Sequence, residues 1–193
     1  MEAAAEVVHR QGAERTTIAD IARAAEVPVG NVYYYFKTKD ELVAAALSEH
    51  ERHLDRLVGL LGELPGPRER LKALVDGWAG QRDLAVRYGC PTGTLASELG
   101  KRDEGEGGLD AEAGRVVRRL LTWVEEQFRE MDQEDPEGLA LTLVGAYQGM
   151  SLLANALRDP SVMERECARL IGWIDSLGND RQPGSDRQPG SDR

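Results

Sequence analysis

Apolar residues recur at helical spacing along nearly the whole chain, and prolines and glycines cut that pattern into separate rods. Leu71, Leu74, Val75 and Trp78 line one face of a helix expected over 68–88. Val117, Leu120, Leu121, Val124 and Phe128 do the same over 109–131. The aromatic and β-branched runs that build strands are scarce, with aromatics at only 5 % of the 193 residues. Hydrophobic residues make up 41 %, enough for a sizeable core. An all-α fold follows.

The breaks place the rods. Residues 2–11 form a first helix with Ala4, Val7, Val8 and Gln11 inward, and Gly12 stops it. Thr17-Ile18-Ala19-Asp20 has the form of a capping box and opens a second helix. Val27-Pro28 ends that helix, because the residue before a proline disfavours helical backbone, and Pro28 opens a short third helix to Phe36. Thr38-Lys39-Asp40-Glu41 is a second box at the head of a long fourth helix reaching about Leu64. After a helix over 68–88, a short one is expected over 94–99, then a polar loop over 101–108. Pro136 and Pro160 open the last two helices. The helix from Pro136 is apolar on more than one face, which marks the last two helices as material for a subunit interface. The repeated RQPGSD at 181–186 and 187–192 cannot build a core, so 179–193 is expected to be disordered.

Charge narrows the partners. The net charge is −10, yet within residues 1–39 Arg10, Arg15, Arg23, Lys37 and Lys39 balance Glu2, Glu6, Glu14, Asp20 and Glu26. The acidity therefore lies in the remainder, and a neutral end on an acidic body would turn that end toward DNA. Cys90 and Cys167 have no pairing pattern, which suits a reducing cytosol. No run of about 18 consecutive apolar residues occurs and the first residues lack a leader pattern, so no membrane association and a cytoplasmic location are expected. No nucleophile motif is visible, and Gly105-Glu106-Gly107-Gly108 lacks the Lys and Ser/Thr of a phosphate loop. A di-metal helical oxidase would need two Glu-x-x-His motifs, and only Glu6-x-x-His9 exists. His50 and His53 share a face of the fourth helix but lack a third ligand, and are read as solvated. No enzyme, metal or cofactor is expected.

The four consecutive aromatics Tyr33-Tyr34-Tyr35-Phe36 carry the functional argument. Successive helical residues point about 100° apart, so the four cannot share one core. Val32 and Phe36 fall on one face and are assigned to the interior, leaving the tyrosines for another surface. Residues 16–42, TTIADIARAAEVPVGNVYYYFKTKDEL, resemble the DNA-binding signature of the TetR family of transcriptional regulators. The likeness combines the turn, the aromatic cluster and the following lysine at fixed offsets. Pro28 stands where many relatives carry Ser, and the first helix lacks the N-terminal arm common in the family. The resemblance implies an N-terminal helix-turn-helix DNA-binding domain over 1–45. It further implies a helical effector-binding and dimerisation domain over 46–178. Tyr33 and Lys39 would contact phosphates, and Thr17 would hold one at a helix start. Val29, Gly30, Asn31, Tyr34 and Tyr35 would line the surface facing the bases. There Asn31 can bond adenine, Val29 can meet a thymine methyl and Gly30 lets the backbone approach.

The resemblance also implies a homodimer on a palindromic double-stranded operator, acting as a repressor and released by a small-molecule effector of unknown identity. Effector binding would shift the fourth helix and change the spacing of the two reading helices. Trp78, Trp123, Phe128, Tyr147, Gln148 and Met150 are candidates for the effector pocket, because large aromatics with a few polar groups suit one. Cys90 is a further candidate. Its surroundings, GCPTGTLASEL, are similar to a run in family members that sense oxidants or electrophiles through that cysteine, which gives an alternative function. A small buried cysteine packing the turn is the plainer reading of Cys90, and Cys167 lies on an apolar stripe.

Overall fold

The computed structural model describes residues 2–102 and 108–178, so part of the expected 101–108 loop and the expected disordered tail lie outside the described residues. The described residues form ten helices and no strand. These are α1 Glu2–Gln11, α2 Ile18–Ala24, α3 Val29–Tyr35, α4 Lys39–Gly62, α5 Pro67–Gly80, α6 Arg82–Tyr88, α7 Pro91–Leu99, α8 Leu109–Glu130, α9 Pro136–Leu157 and α10 Ser161–Ser176.

The helix ends follow from capping chemistry. Gly12 closes α1 at φ +85°, a backbone shape that favours glycine. Thr17 completes the expected box on α2: its hydroxyl accepts the Asp20 N–H at 3.2 Å, and the Asp20 carboxylate accepts the Thr17 N–H at 3.1 Å. The box at α4 is shifted. Thr38 caps Glu41, but the Glu41 carboxylate takes the Lys37 amide at 2.6 Å and not that of Thr38.

Two boundaries differ from expectation. The helix expected over 68–88 is two, broken at Gln81, where Gly77 and Gly80 weaken the last turn of α5 and no side chain caps the restart. The short helix expected from 94 begins at Pro91, because proline fits a first turn and the Cys90 sulfur accepts the Gly93 N–H at 3.3 Å.

Three apolar clusters run the length of the molecule. Ala4, Val7, Ile21, Ala22, Val32 and Leu42 weld α1, α2, α3 and the head of α4. Val27, between α2 and α3, stays outside that contact at 39 % exposed, and Glu26 before it adopts φ +55°. A second cluster joins Val8, Val43 and Leu47 to Leu95, Leu99 and Ala113 of α7 and α8. The largest packs α5, α8, α9 and α10 around Leu74, Phe128, Leu143, Met150, Leu170 and Ile174. The division expected at residue 45 falls inside α4, so a continuous helix and not a loop links the two ends.

Helix α9 is, among the described residues, the one helix long and apolar enough to cross a membrane by length and composition. Its inner face, with Leu143, Val144, Tyr147 and Met150, is built into the core, while Leu141, Leu152, Leu153 and Leu157 are exposed on it.

Candidate nucleic-acid interface

Helix α3 is two turns long and is anchored mainly by Val32, with Phe36 packed beside it just past its end. Burying a valine contributes about 1.5–3 kcal/mol, a small anchor for seven residues, and α2 braces it from one side. Everything else on α3 faces outward. Tyr33 is 50 % exposed, Tyr34 74 % and Tyr35 73 %, and Val29, Gly30 and Asn31 are exposed as well. The rings of Tyr34 and Tyr35 meet edge to face at 5.1 Å. A Cβ built on Gly30 would meet no atom of the described residues beyond its own helix backbone and chain neighbours within 4 Å, so packing among them does not require glycine there.

The residues beside α3 are arranged by hydrogen bonds. Lys37 donates to the carbonyls of Tyr33 and Tyr34 at 2.8 and 2.9 Å and lies over the Tyr34 ring, closing the C-terminal end of α3. Lys39 is half-buried and donates to the Glu14 carbonyl, which leaves two ammonium protons for an outside acceptor. Thr17 is exposed at the start of α2, with its hydroxyl also donating to Asp20 at 2.6 Å. That bond, the backbone amide of Thr17 and Gln11 hold the Asp20 carboxyl below its usual range. The structure thus brings Thr17, Val29, Gly30, Asn31, Tyr33, Tyr34, Tyr35 and Lys39 to one end of the molecule.

The effector candidates divide. Trp78, Cys90, Tyr147 and Gln148 line one cavity of about 110 Å³ between α4, α5, α7, α8 and α9. Trp78 and Tyr147 stack at 4.3 Å with their planes 15° apart. The other three do not belong to it. Phe128 is fully buried and Met150 is 2 % exposed, both in the core, because their faces of α8 and α9 point at α5 and α10. Trp123 lies on a separate surface cleft with Arg118 and Arg119. Cys90 is buried. Cys167 is buried as expected, and loss of solvent pushes its thiol up to about 11.

Sequence reasoning misplaced His50. The shared face with His53 predicts a solvated side chain, yet His50 lines the cavity and its Nε2 is buried with no hydrogen-bond partner among the described residues. Burial, with the charges of His9 and His53 adding, pushes its pKa down to about 4. The signal was present: His50, Leu54 and Leu57 follow the i, i+4, i+7 spacing of an inward face. His53 is exposed as expected.

Glu98 carried no such signal. From α7 its carboxylate accepts the backbone N–H of Ala13 at 2.9 Å and of Glu14 at 2.5 Å, in the turn between α1 and α2. His9 makes a second tie, its Nε2 lying 2.9 Å from the Gly89 carbonyl. Helix α7 therefore touches the cavity at its start and the α1–α2 turn at its end.

Residues 1–46 match the family model for bacterial regulatory proteins of the tetR family. The HTH-type transcriptional regulator in the lacX 3′ region of Lactococcus lactis subsp. lactis is 26 % identical over 178 residues, 85 % of this chain and 85 % of that one. The HTH-type transcriptional regulator TtgR of Pseudomonas putida is 48 % identical over 54 residues, 28 % of this chain and 26 % of its own length. Among solved structures, a TetR transcriptional regulator from Legionella pneumophila superposes with a TM-score of 0.77 at 18 % identity, over 90 % of this chain and 92 % of that one, a likeness of fold. With a two-turn helix that presents its tyrosines to solvent inside the matched segment, residues 1–46 are similar to the helix-turn-helix module of bacterial regulatory proteins of the tetR family, and the chain as a whole resembles HTH-type transcriptional regulators in sequence and TetR regulators in fold.

Proposed function

We propose that this protein is a homodimeric repressor that holds a near-palindromic operator through α3 and releases it when a small molecule enters the α4–α9 cavity. One observation carries the DNA part: on α3 every side chain except Val32 is exposed, including three tyrosines that a folded core would otherwise claim. In this reading α3 lies in the major groove with Val29, Asn31, Tyr34 and Tyr35 toward the bases. Tyr33, Lys39 and Thr17 reach the phosphates and set the register.

Dimerisation is supported by the exposed Leu141, Leu152 and Leu153 of α9, which lie away from its buried face. A two-fold axis there would present two copies of α3 to successive grooves. Two routes support release. Helix α4 carries His50 and Leu54 on the cavity and Leu42 in the cluster under α3. Helix α7 carries Thr92 on the cavity and Glu98 on the α1–α2 turn. A ligand that parts α4 from α7 would tilt the reading end, and by linkage operator and ligand would weaken each other. The division of labour that goes with this reading is residues 1–45 for DNA and 46–178 for ligand and partner.

Selecting DNA from a random pool with the purified protein tests the reading. A dyad-symmetric site bound with steep salt dependence is expected; no enrichment, or an asymmetric site bound by one copy, overturns it. A second reading is favoured by the place of Cys90, whose sulfur caps α7 at the cavity wall. There an oxidant or electrophile would alter the cap and stand in for a ligand. A response to oxidants that survives Cys90→Ser removes this alternative.

A further inference from the structure

The cavity wall speaks to the charge of the ligand it can hold. Among the described residues, no Asp, Glu, Lys or Arg lines the cavity. Its apolar wall includes Leu54, Leu74, Val116 and Leu120 around the Trp78–Tyr147 stack. Burial keeps two titratable side chains on it, His50 and Tyr147, in their neutral forms at pH 7. His50 is kept unprotonated by burial, and the Tyr147 phenol is pushed well above its usual range by burial. Thr92 and Gln148 carry no charge in any state, and His53 and Gln81 are exposed. Glu49, the carboxylate whose charge reaches His50, is already held by Arg52 at 2.6 Å and Arg56 at 3.2 Å.

From this wall we infer that the cavity takes a small uncharged organic molecule, about one ring in size, and rejects carboxylates and ammonium ions of the same shape. The inference rests on reading the cavity as the effector site. Its size follows from volume: about 110 Å³ is somewhat under the roughly 150 Å³ of a cavity that accepts benzene. Its neutrality follows from desolvation. An ion entering here loses water and meets no opposite charge, whereas a hydroxyl loses little and finds partners in Thr92 or Gln148. His50 adds a demand of the same kind, because its buried Nε2 lacks a partner that a hydroxyl-bearing ligand supplies.

Three probes of nearly one shape separate the cases: benzyl alcohol, benzoate and benzylammonium, titrated calorimetrically into the full-length protein at pH 7. Benzyl alcohol is expected to bind at least about tenfold more tightly than either ion, the discrimination that one uncompensated charge imposes. Equal or tighter binding of an ion overturns the inference, and so does failure of all three to bind. The site is checked by filling it from α8 with Val117→Phe and, separately, Leu120→Phe. At least one variant that keeps its helical circular dichroism should lose benzyl alcohol binding. Undiminished binding in a folded variant places the ligand elsewhere and overturns the assignment. DNA binding is read on the same preparation. Operator binding with a reversed charge preference sinks the ligand class and spares the regulator, while selective benzyl alcohol binding without DNA binding does the opposite.

Discussion

Replacing Gly30 by alanine should make the protein more stable and a worse DNA binder. Glycine in a helix is about 0.5–1 kcal/mol less favourable than alanine. Gly30 lies in the first turn of α3, so the lower end of that range applies. Among the described residues the new methyl meets no atom beyond its own helix backbone and chain neighbours within 4 Å, so no packing loss opposes the gain. For a chain of this length the unfolding midpoint should rise by about 1–2 °C. On DNA the same methyl stands where the backbone is proposed to approach the groove. An overlap of one methyl typically costs about 1–3 kcal/mol, equivalent to about 5- to 150-fold in affinity. Fluorescence anisotropy on the selected operator at fixed salt, beside a thermal melt, reads both quantities. Gly59→Ala is the control. Its Cβ also meets nothing, and it lies on α4 far from the reading end, so it should stabilise without weakening DNA binding. A Gly30→Ala protein that melts higher and binds unchanged would show that this backbone does not approach DNA. One that melts lower would refute the account of α3 itself.

Three other outcomes follow from particular contacts. Glu98→Ala removes an acceptor shared by two backbone amides; with the site partly exposed, a loss of about 1–3 kcal/mol is expected in denaturant unfolding, together with a smaller ligand-induced drop in operator affinity. Unchanged stability and unchanged coupling would remove α7 from the route. Acid should destabilise the fold between pH 6.5 and about 4. His50 binds its proton less readily folded than unfolded, so its contribution is intact above 6.5 and falls by up to about 3 kcal/mol as pH drops toward 4. His9, also lowered by burial, acts in the same direction, and among the other groups around His50 the Glu49 charge opposes the shift; a His50→Gln protein should show a flatter acid limb, and an equal slope would contradict the assignment. Leu152→Glu on the outer face of α9 should leave the helical content intact but give monomers in analytical ultracentrifugation, while persistent dimers would move the interface elsewhere.

Local chemistry was legible from the chain alone. The Thr17–Asp20 box, the Gly12 stop and the impossibility of burying Tyr33, Tyr34, Tyr35 and Phe36 together depend on residues a few positions apart, so backbone geometry and side-chain spacing suffice to read them. What the chain could not display was contact between distant segments. Glu98 lies 85 positions from the amide it grips, and no periodicity links the two. His50 looked solvated because its helix was read without its neighbours, whereas the packing of α5, α8 and α9 around it makes that face an interior wall. Phe128 and Trp123 are both apolar and five positions apart on α8, yet one fills the core and the other lines a surface cleft. Capping and helical period act over one or two turns and are written in sequence. Which face becomes a core, a cavity wall or a tie between the two ends is settled only when separate helices meet, because burial and hydrogen-bond partners are properties of the packed whole.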